Sequence, residues 1–136
     1  MRDKDIQINS WINFACDDLK AAEISVDKGI ANIVCFHSQQ SVEKCLKALY
    51  LYHFDTIPKT HDLEAIVNKL MEKETKISEH TEQIRYLNKF YIPTRYPDAL
   101  PGSLPDGLPN AKDANKALEN AKIIVEFIKN LLKRNI

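Results

Sequence analysis

The sequence predicts an all-α fold, an up-and-down bundle of four to five helices with a proline-rich loop at about residues 92–111 before the last helix. Three observations predict it. Apolar residues recur every three or four positions along most of the chain, as on one face of a helix. No segment shows the apolar and polar alternation of a half-buried strand. Prolines fall at every fourth position from 93 to 109, where each would remove a helical hydrogen bond.

Length and composition limit the class of protein. A chain of 136 residues predicts one domain, residues 1–136. The composition, with 44% hydrophobic and 28% charged residues, is that of a globular protein and argues against disorder. Nineteen basic residues balance nineteen acidic ones, so we expect no specific recognition of DNA. The three glycines form neither a P-loop nor a dinucleotide-binding motif. No apolar run reaches the roughly 20 residues of a membrane span, and the first residues do not resemble a signal peptide, so we expect no membrane association.

The first helix is predicted to begin at Asn9 or Ser10, because either side chain can cap the free amides of a first turn, and to end at Gly29. Its acidic residues, among them Asp17 and Asp18, are assigned to solvent. Its apolar stripe consists of Trp11, Ala15, Leu19, Ala22 and Val26.

A second helix is predicted over about 31–54, and Pro58 then breaks the helical pattern. Its apolar stripe consists of Val34, Val42, Cys45, Leu46 and Leu49. Thr60 is the expected cap of a third helix. A charged hinge at 73–76 leads to a fourth helix, which carries Ile77, Ile84, Leu87 and Tyr91.

The last helix is predicted to run from about Lys112 nearly to the end of the chain. Its inner stripe consists of Ala114, Ala117, Ala121, Val125, Ile128 and Leu132. Residues 1–29 carry a balance of −2, whereas residues 112–136 carry +3. Two interpretations of the positive helix stay open: contact with nucleic acid or an acidic partner, or an ordinary solvated face.

Cysteine and histidine usage predicts neither a metal site nor a cofactor. Cys16, Cys35 and Cys45 lack C-x-x-C spacing and lie in apolar helical stretches, which favours packing as free thiols. Free thiols are typical of a reducing compartment, so we expect a cytoplasmic protein. The histidines at 37, 53 and 80 form no H-E-x-x-H or H-x-H pattern.

The second helix carries a polar row. Gln40, Glu43, Lys44 and Lys47 are three or four residues apart, which places them on neighbouring positions of a helix surface. Amide, carboxylate and ammonium groups in one row are suited to a polar ligand or a subunit boundary. An exposed helix face with an ordinary ion pair is the alternative.

The segment Thr60-His61-Asp62-Leu63 begins the third helix. His61 is a candidate acid–base group or phosphate contact, because an anion is favoured near a helix N-terminus, and Asp62 lies beside it. The alternative is a histidine that packs beside the helix cap.

The entry to the proline-rich loop is the third candidate. Arg95 offers a planar guanidinium for phosphate or carboxylate, and the rings of Tyr91 and Tyr96 offer faces for a base. Asp98 is placed to hold the guanidinium or to neutralise it. A ligand site and a loop anchor are equally consistent with this segment.

Four segments in this order resemble the HEPN domain family of prokaryotic helical proteins. They are an aromatic-led helix with a "DL..A" run over 11–22, "QQ..EK.LKA" over 39–48, "P.THDL" over 58–63 and "Y...RYPDA" over 91–99. The resemblance covers nearly the whole chain.

The resemblance implies a bundle of four or five helices that forms a homodimer with a composite cleft between subunits. It also implies a minimal nucleotidyltransferase as partner, in a toxin–antitoxin-like pair. Some family members are metal-independent ribonucleases, and others are proposed to bind nucleotides without catalysis.

The nuclease branch of the family carries an arginine followed by a histidine after four to six residues. None of the four arginines here has a histidine at that distance, and no histidine follows His80. We therefore expect a dimeric nucleotide- or RNA-binding protein, with Arg95, Tyr96, Lys44, Lys47 and His61 near the ligand. The alternatives are a ribonuclease toxin that uses His61 and Arg95, and a purely structural interaction module.

Overall fold

The computed structural model of the chain describes residues 3–91 and 108–135. Within these ranges it contains a short 3-10 helix (Thr75–His80) and five α-helices, which are α1 (Asp3–Asp27), α2 (Ala31–Phe54), α3 (Leu63–Leu70), α4 (Thr81–Asn88) and α5 (Ala111–Asn135). No strand occurs in these residues. The all-α prediction is confirmed, whereas most of the predicted proline-rich loop lies outside the described residues.

Helix α2 is the centre of the bundle. Helices α1 and α2 form a hairpin whose turn needs Gly29, with φ of 71°, a conformation that residues with a Cβ rarely adopt. Helix α5 packs on both α2 and α1, while α3 and α4 pack against α2 and each other. The apolar stripes predicted for the second and last helices are buried. Each helix therefore contributes its apolar face to one continuous core.

Two predicted helix starts are wrong. Helix α1 begins at Asp3 rather than at Asn9 or Ser10. Contacts with the rest of the bundle stabilise these earlier turns, since Ile8 is 1% exposed and the Lys4 ammonium donates to the Tyr52 carbonyl and to Asp55. Helix α3 is capped by Asp62 rather than by Thr60. The Thr60 hydroxyl instead accepts a hydrogen bond from the Asp62 amide, one residue before the helix.

The predicted hinge at 73–76 and the start of the predicted fourth helix also differ from the structure. Residues Thr75–His80 form the 3-10 helix, which leads directly into α4. Ile77 on the 3-10 helix and Ile84 and Leu87 on α4 are buried, as expected.

The start of α5 is fixed by a reciprocal cap. The Asn110 side chain accepts from the Asp113 amide, and the Asp113 carboxylate accepts from the Asn110 amide. The Tyr86 hydroxyl of α4 donates to the Asp113 backbone carbonyl at 3.3 Å, which ties α4 to this end of α5. Within the described residues, no helix is both long enough and apolar enough to cross a membrane.

Candidate functional site

A buried carboxylate, Glu43 on α2, is the centre of the candidate site. Only 3% of its side chain is exposed. It accepts hydrogen bonds from Lys47 Nζ at 2.9 Å, from His61 Nδ1 at 2.8 Å and from Gln39 Nε2 at 3.2 Å. A charge removed from water needs such partners, because its desolvation costs several kcal/mol. Three donors therefore hold this carboxylate in one orientation.

Helical spacing supplies two of these donors. Gln39 precedes Glu43 by one turn and Lys47 follows it by one turn, so both side chains reach the same carboxylate. Gln40 extends the network by donating to Gln39 Oε1 at 2.7 Å. The Lys47 ammonium also lies 5.6 Å from the ring centre of Trp11, which connects α1 to the cluster through a cation–π contact.

His61 is the member of the cluster that faces solvent, with 52% of its side chain exposed. Its ring stacks on Tyr91 with the centroids 5.0 Å apart and the planes 10° from parallel. Because Nδ1 contacts the Glu43 carboxylate, Nε2 is the nitrogen left for a ligand, and it has no hydrogen-bond partner among the described residues. The site thus offers one oriented imidazole.

Asp62 closes the N-terminus of α3. Its carboxylate accepts from the amides of Glu64 and Ala65 and from Asn88 Nδ2 at 2.8 Å, while the Asn88 side-chain oxygen accepts from the Leu63 amide. The helix amides that were expected to favour an anion beside His61 are therefore already satisfied. An anion at this position would contact the imidazole rather than the helix N-terminus.

A second carboxylate cluster joins α1 to α2. Asp18 accepts from His37 Nδ1 at 2.8 Å and from the Lys44 ammonium. Burial by itself would raise the pKa of Asp18, but the hydrogen bonds and positive charges of His37 and Lys44 outweigh it and lower that pKa below 3.8. The assignment of Asp18 to solvent was wrong, because its side chain is turned to α2.

The structure divides the predicted polar row of α2. Gln40, Glu43 and Lys47 belong to the network around His61, whereas Lys44 contacts Asp18. Arg95, Tyr96 and Asp98, the other predicted site residues, lie outside the described residues. Their relation to His61 stays a prediction.

Sequence reasoning missed Gln39, Asp18 and His37. Two spacing signals were available: Gln39 is one helical turn before Glu43, and His37 is two turns before Lys44. Asp18 gave no local signal, because its partners are on another helix.

The family model of the HEPN domain matches residues 8–131 of the chain. The chain belongs to the HEPN domain family. Among curated proteins no sequence matches this HEPN domain.

Solved structures agree with the assignment. The protein TT1696 from Thermus thermophilus is 29% identical, with a TM-score of 0.79, over 91% of this chain and 97% of that one. The archaeal HEPN homologue ST0689 is 26% identical, with a TM-score of 0.71, over 92% and 97%. A HEPN domain protein of Thermotoga maritima, TM0613, is 26% identical, with a TM-score of 0.72, over 92% and 98%. The described helices thus have the HEPN arrangement.

The cysteines of this HEPN domain are free. Burial raises the pKa of Cys35 to about 12 and raises that of Cys45 as well, which keeps both thiols protonated and unreactive at neutral pH. Among the described residues, no group of three or more potential ligands lies close enough together to hold a metal ion.

The Asp18 cluster predicts a pH-dependent stability. Because the pKa of Asp18 is lower in the folded HEPN domain than in the unfolded chain, its contribution is fully present above about pH 4 and is lost as the pH falls through the folded pKa. We expect Asp18→Asn to lower the free energy of unfolding by about 1–3 kcal/mol at pH 7. The free energy of unfolding of this variant should also decrease less than that of the wild type between pH 7 and pH 2. Urea unfolding between pH 2 and pH 7 measures both effects.

The neighbouring exposed carboxylate supplies the control. Asp17→Asn should leave both the stability and its acid dependence close to those of the wild type. Equal effects of the two substitutions would show that the contacts of Asp18 with His37 and Lys44 do not stabilise the fold.

Proposed function

We propose that this chain, as one HEPN domain over residues 1–136, binds a phosphate group of a nucleotide or of RNA without catalysing its cleavage. The observation that carries the proposal is the contact of His61 Nδ1 with the buried Glu43 carboxylate, which orients a half-exposed imidazole. Lys44, Gln40 and Asp62 support the site through the neighbouring contacts rather than by touching the ligand.

Charge balance favours an anion at His61. The Lys47 ammonium already neutralises Glu43, with the two groups 2.9 Å apart and both nearly buried. A protonated His61 therefore adds a positive charge that this pair does not cancel. Its Nε2–H would then form a charge-assisted hydrogen bond to a phosphate oxygen.

Chain connectivity allows Arg95 to reach the same ligand. Tyr91 stacks on His61, and Arg95 follows Tyr91 by four residues, a distance that the backbone spans with at most about 14 Å. We propose that within this reach the guanidinium binds the phosphate in bidentate fashion, that the ring of Tyr96 stacks on a base, and that Asp98 orients the guanidinium.

Binding is tested by titrating AMP, ATP and short RNAs into the protein by calorimetry. We expect affinity at least tenfold weaker for Arg95→Ala and for His61→Asn, because each removes a donor to phosphate. Trp11, the only tryptophan, lies beside Lys47, so its fluorescence provides an independent measure of binding at this site.

The matched control is Lys122→Ala, which removes an exposed positive charge on α5. It should bind as the wild type does once ionic strength is fixed. Equal affinity of wild type and Arg95→Ala would remove Arg95 from the site. If nucleotides and RNA leave the melting temperature of the wild type unchanged, the interaction-module alternative is favoured instead.

We further propose that the domain is a homodimer and binds a minimal nucleotidyltransferase. Family membership supports both partners. Exposed apolar side chains on α1 support the dimer: Phe14 is 56% exposed, and Ile6 and Ile24, also exposed, are five helical turns apart on one side of the helix.

Sedimentation tests these contacts. The wild type should sediment as a dimer, and Phe14→Glu should increase the monomer fraction, because it introduces a charge at an exposed apolar position of α1. Ile123→Glu, at an exposed apolar position of α5, is the control and should leave the dimer unchanged.

A second sedimentation experiment mixes the protein with a minimal nucleotidyltransferase encoded beside its gene. We expect one larger complex, and two proteins that sediment separately would contradict that pairing.

A second candidate function is a metal-independent ribonuclease, which the hydrogen bond between Glu43 and His61 favours. A carboxylate that holds Nδ1 leaves Nε2 to accept a proton from the RNA 2′-hydroxyl, as a general base requires. This candidate predicts RNA cleavage and growth arrest on expression, neither affected by a chelator. His61→Asn should lower the cleavage rate by about 10²–10⁴-fold. Cleavage that persists unchanged in both His61→Asn and Arg95→Ala would dispose of it.

A further inference from the structure

The side chain of Asn88, the last residue of α4, joins α4 to the start of α3. Its Oδ1 accepts from the Leu63 amide at 2.8 Å, and its Nδ2 donates to the Asp62 carboxylate at 2.8 Å. Nδ2 also donates to Glu64 Oε2 at 3.5 Å. One side-chain amide therefore binds two consecutive residues, Asp62 and Leu63, as donor to the first and acceptor from the second.

These two residues directly follow His61 in the chain. The Asp62 side chain accepts from the two backbone amides after Leu63, which leaves the first amide of α3 without a partner inside the helix. Asn88 supplies that partner. The first turn of α3 is thus fixed on the end of α4, and the backbone next to His61 is fixed with it.

The same end of α4 also holds the imidazole ring. Tyr91, three residues after Asn88, stacks on His61 with the ring centroids 5.0 Å apart. On the other side, the Glu43 carboxylate accepts from His61 Nδ1 at 2.8 Å. Helix α2 therefore holds one ring nitrogen, whereas the segment from Asn88 to Tyr91 holds the plane of the ring and the backbone beside it.

We propose, on the basis of the phosphate-binding function proposed above, that Asn88 is a positioning residue for His61. It holds residues 61–63 so that His61 Nε2 is presented to the phosphate, and it does not itself contact the ligand. The imidazole is half exposed and lies in the connection before α3, so neighbouring contacts have to hold it in place. A donor that is ordered before binding loses less conformational entropy when the ligand arrives.

A double-mutant cycle between Asn88 and His61 tests this role. AMP is titrated by calorimetry into the wild type, Asn88→Ala, His61→Asn and the double variant. We expect Asn88→Ala to weaken binding roughly 3- to 10-fold, as for the loss of one hydrogen bond. The same change should have less than about a twofold effect when His61 is already replaced, because Asn88 acts through that residue. Alanine favours a helix, so the circular dichroism of α4 and its neighbours should be unchanged.

A second measurement needs no ligand. Nuclear magnetic resonance of the wild type should show Overhauser effects between the ring protons of His61 and Tyr91, because the two rings are stacked. Asn88→Ala should weaken these effects and shift the His61 ring signals towards those of an exposed histidine. If AMP does not bind the wild type, the phosphate site is wrong, and the ring signals then decide separately whether Asn88 positions His61.

The matched control is Arg85→Ala, measured at the same ionic strength. Arg85 is one turn before Asn88 and also joins α4 to α3, but its guanidinium donates to Glu64 at 2.9 Å, beyond the 61–63 segment. The variant should retain wild-type affinity for AMP and wild-type ring signals.

Three results would overturn the proposal. They are equal losses of affinity in Arg85→Ala and Asn88→Ala, a loss from Asn88→Ala that is the same with and without His61, and His61 ring signals that Asn88→Ala leaves unchanged. The first two would indicate that Asn88 only helps to dock α3 on α4. The third would indicate that Glu43 and Tyr91 hold the imidazole without it.

Discussion

The buried carboxylate of Glu43 is the constraint on which this end of the bundle depends. Its burial is unfavourable by several kcal/mol unless donors surround it, and the three donors come from α2 itself and from the segment before α3. Lys47 connects this cluster to α1, because its ammonium group lies 5.6 Å from the ring centre of Trp11. The position of α3 relative to the α1–α2 hairpin is therefore set by electrostatics as well as by apolar packing.

The same arrangement occurs twice along α2. Asp18 and Glu43 each accept from one lysine ammonium and one histidine Nδ1. The two lysines, Lys44 and Lys47, are three residues apart on α2, and both also reach α1, where Lys44 contacts Asp18 and Lys47 contacts the ring of Trp11. What differs between the clusters is the exposure of the histidine: the ring of His61 is half exposed, whereas that of His37 is mostly buried. Only the cluster around Glu43 therefore combines a neutralised carboxylate with an accessible imidazole.

The family assignment and the helix pattern could be predicted because both are local properties of the sequence. Apolar spacing located α2 and the inner face of α5, since burial requires the period of a helix. The start of α1 could not be predicted from caps alone, because the burial of Ile8 against the rest of the bundle extends the helix beyond the capping residues.

The polar clusters could be predicted only in part. The pairing of Glu43 with Lys47 fits the four-residue spacing of the predicted polar row. The contacts of Asp18 with Lys44 and of Glu43 with His61 join residues 26 and 18 positions apart, and no local pattern specifies them. Apolar periodicity also assigns every polar helix residue to solvent, which is why Asp18 was misplaced.

RNA cleavage and phosphate binding require different numbers of accessible proton-transfer groups. Cleavage of RNA through the 2′-hydroxyl needs a base for that hydroxyl and an acid for the leaving oxygen, whereas binding of a phosphate needs donors alone. Among the four histidines, all within the described residues, His61 is the one whose ring lies half exposed with a nitrogen left free, so one protomer offers one such group. A nuclease built from this chain would have to take its second proton-transfer group from another residue type or from a second copy of the chain. The contacts of Glu43 with Lys47 and His61 lie within one chain, so the orientation of this imidazole does not depend on a second subunit.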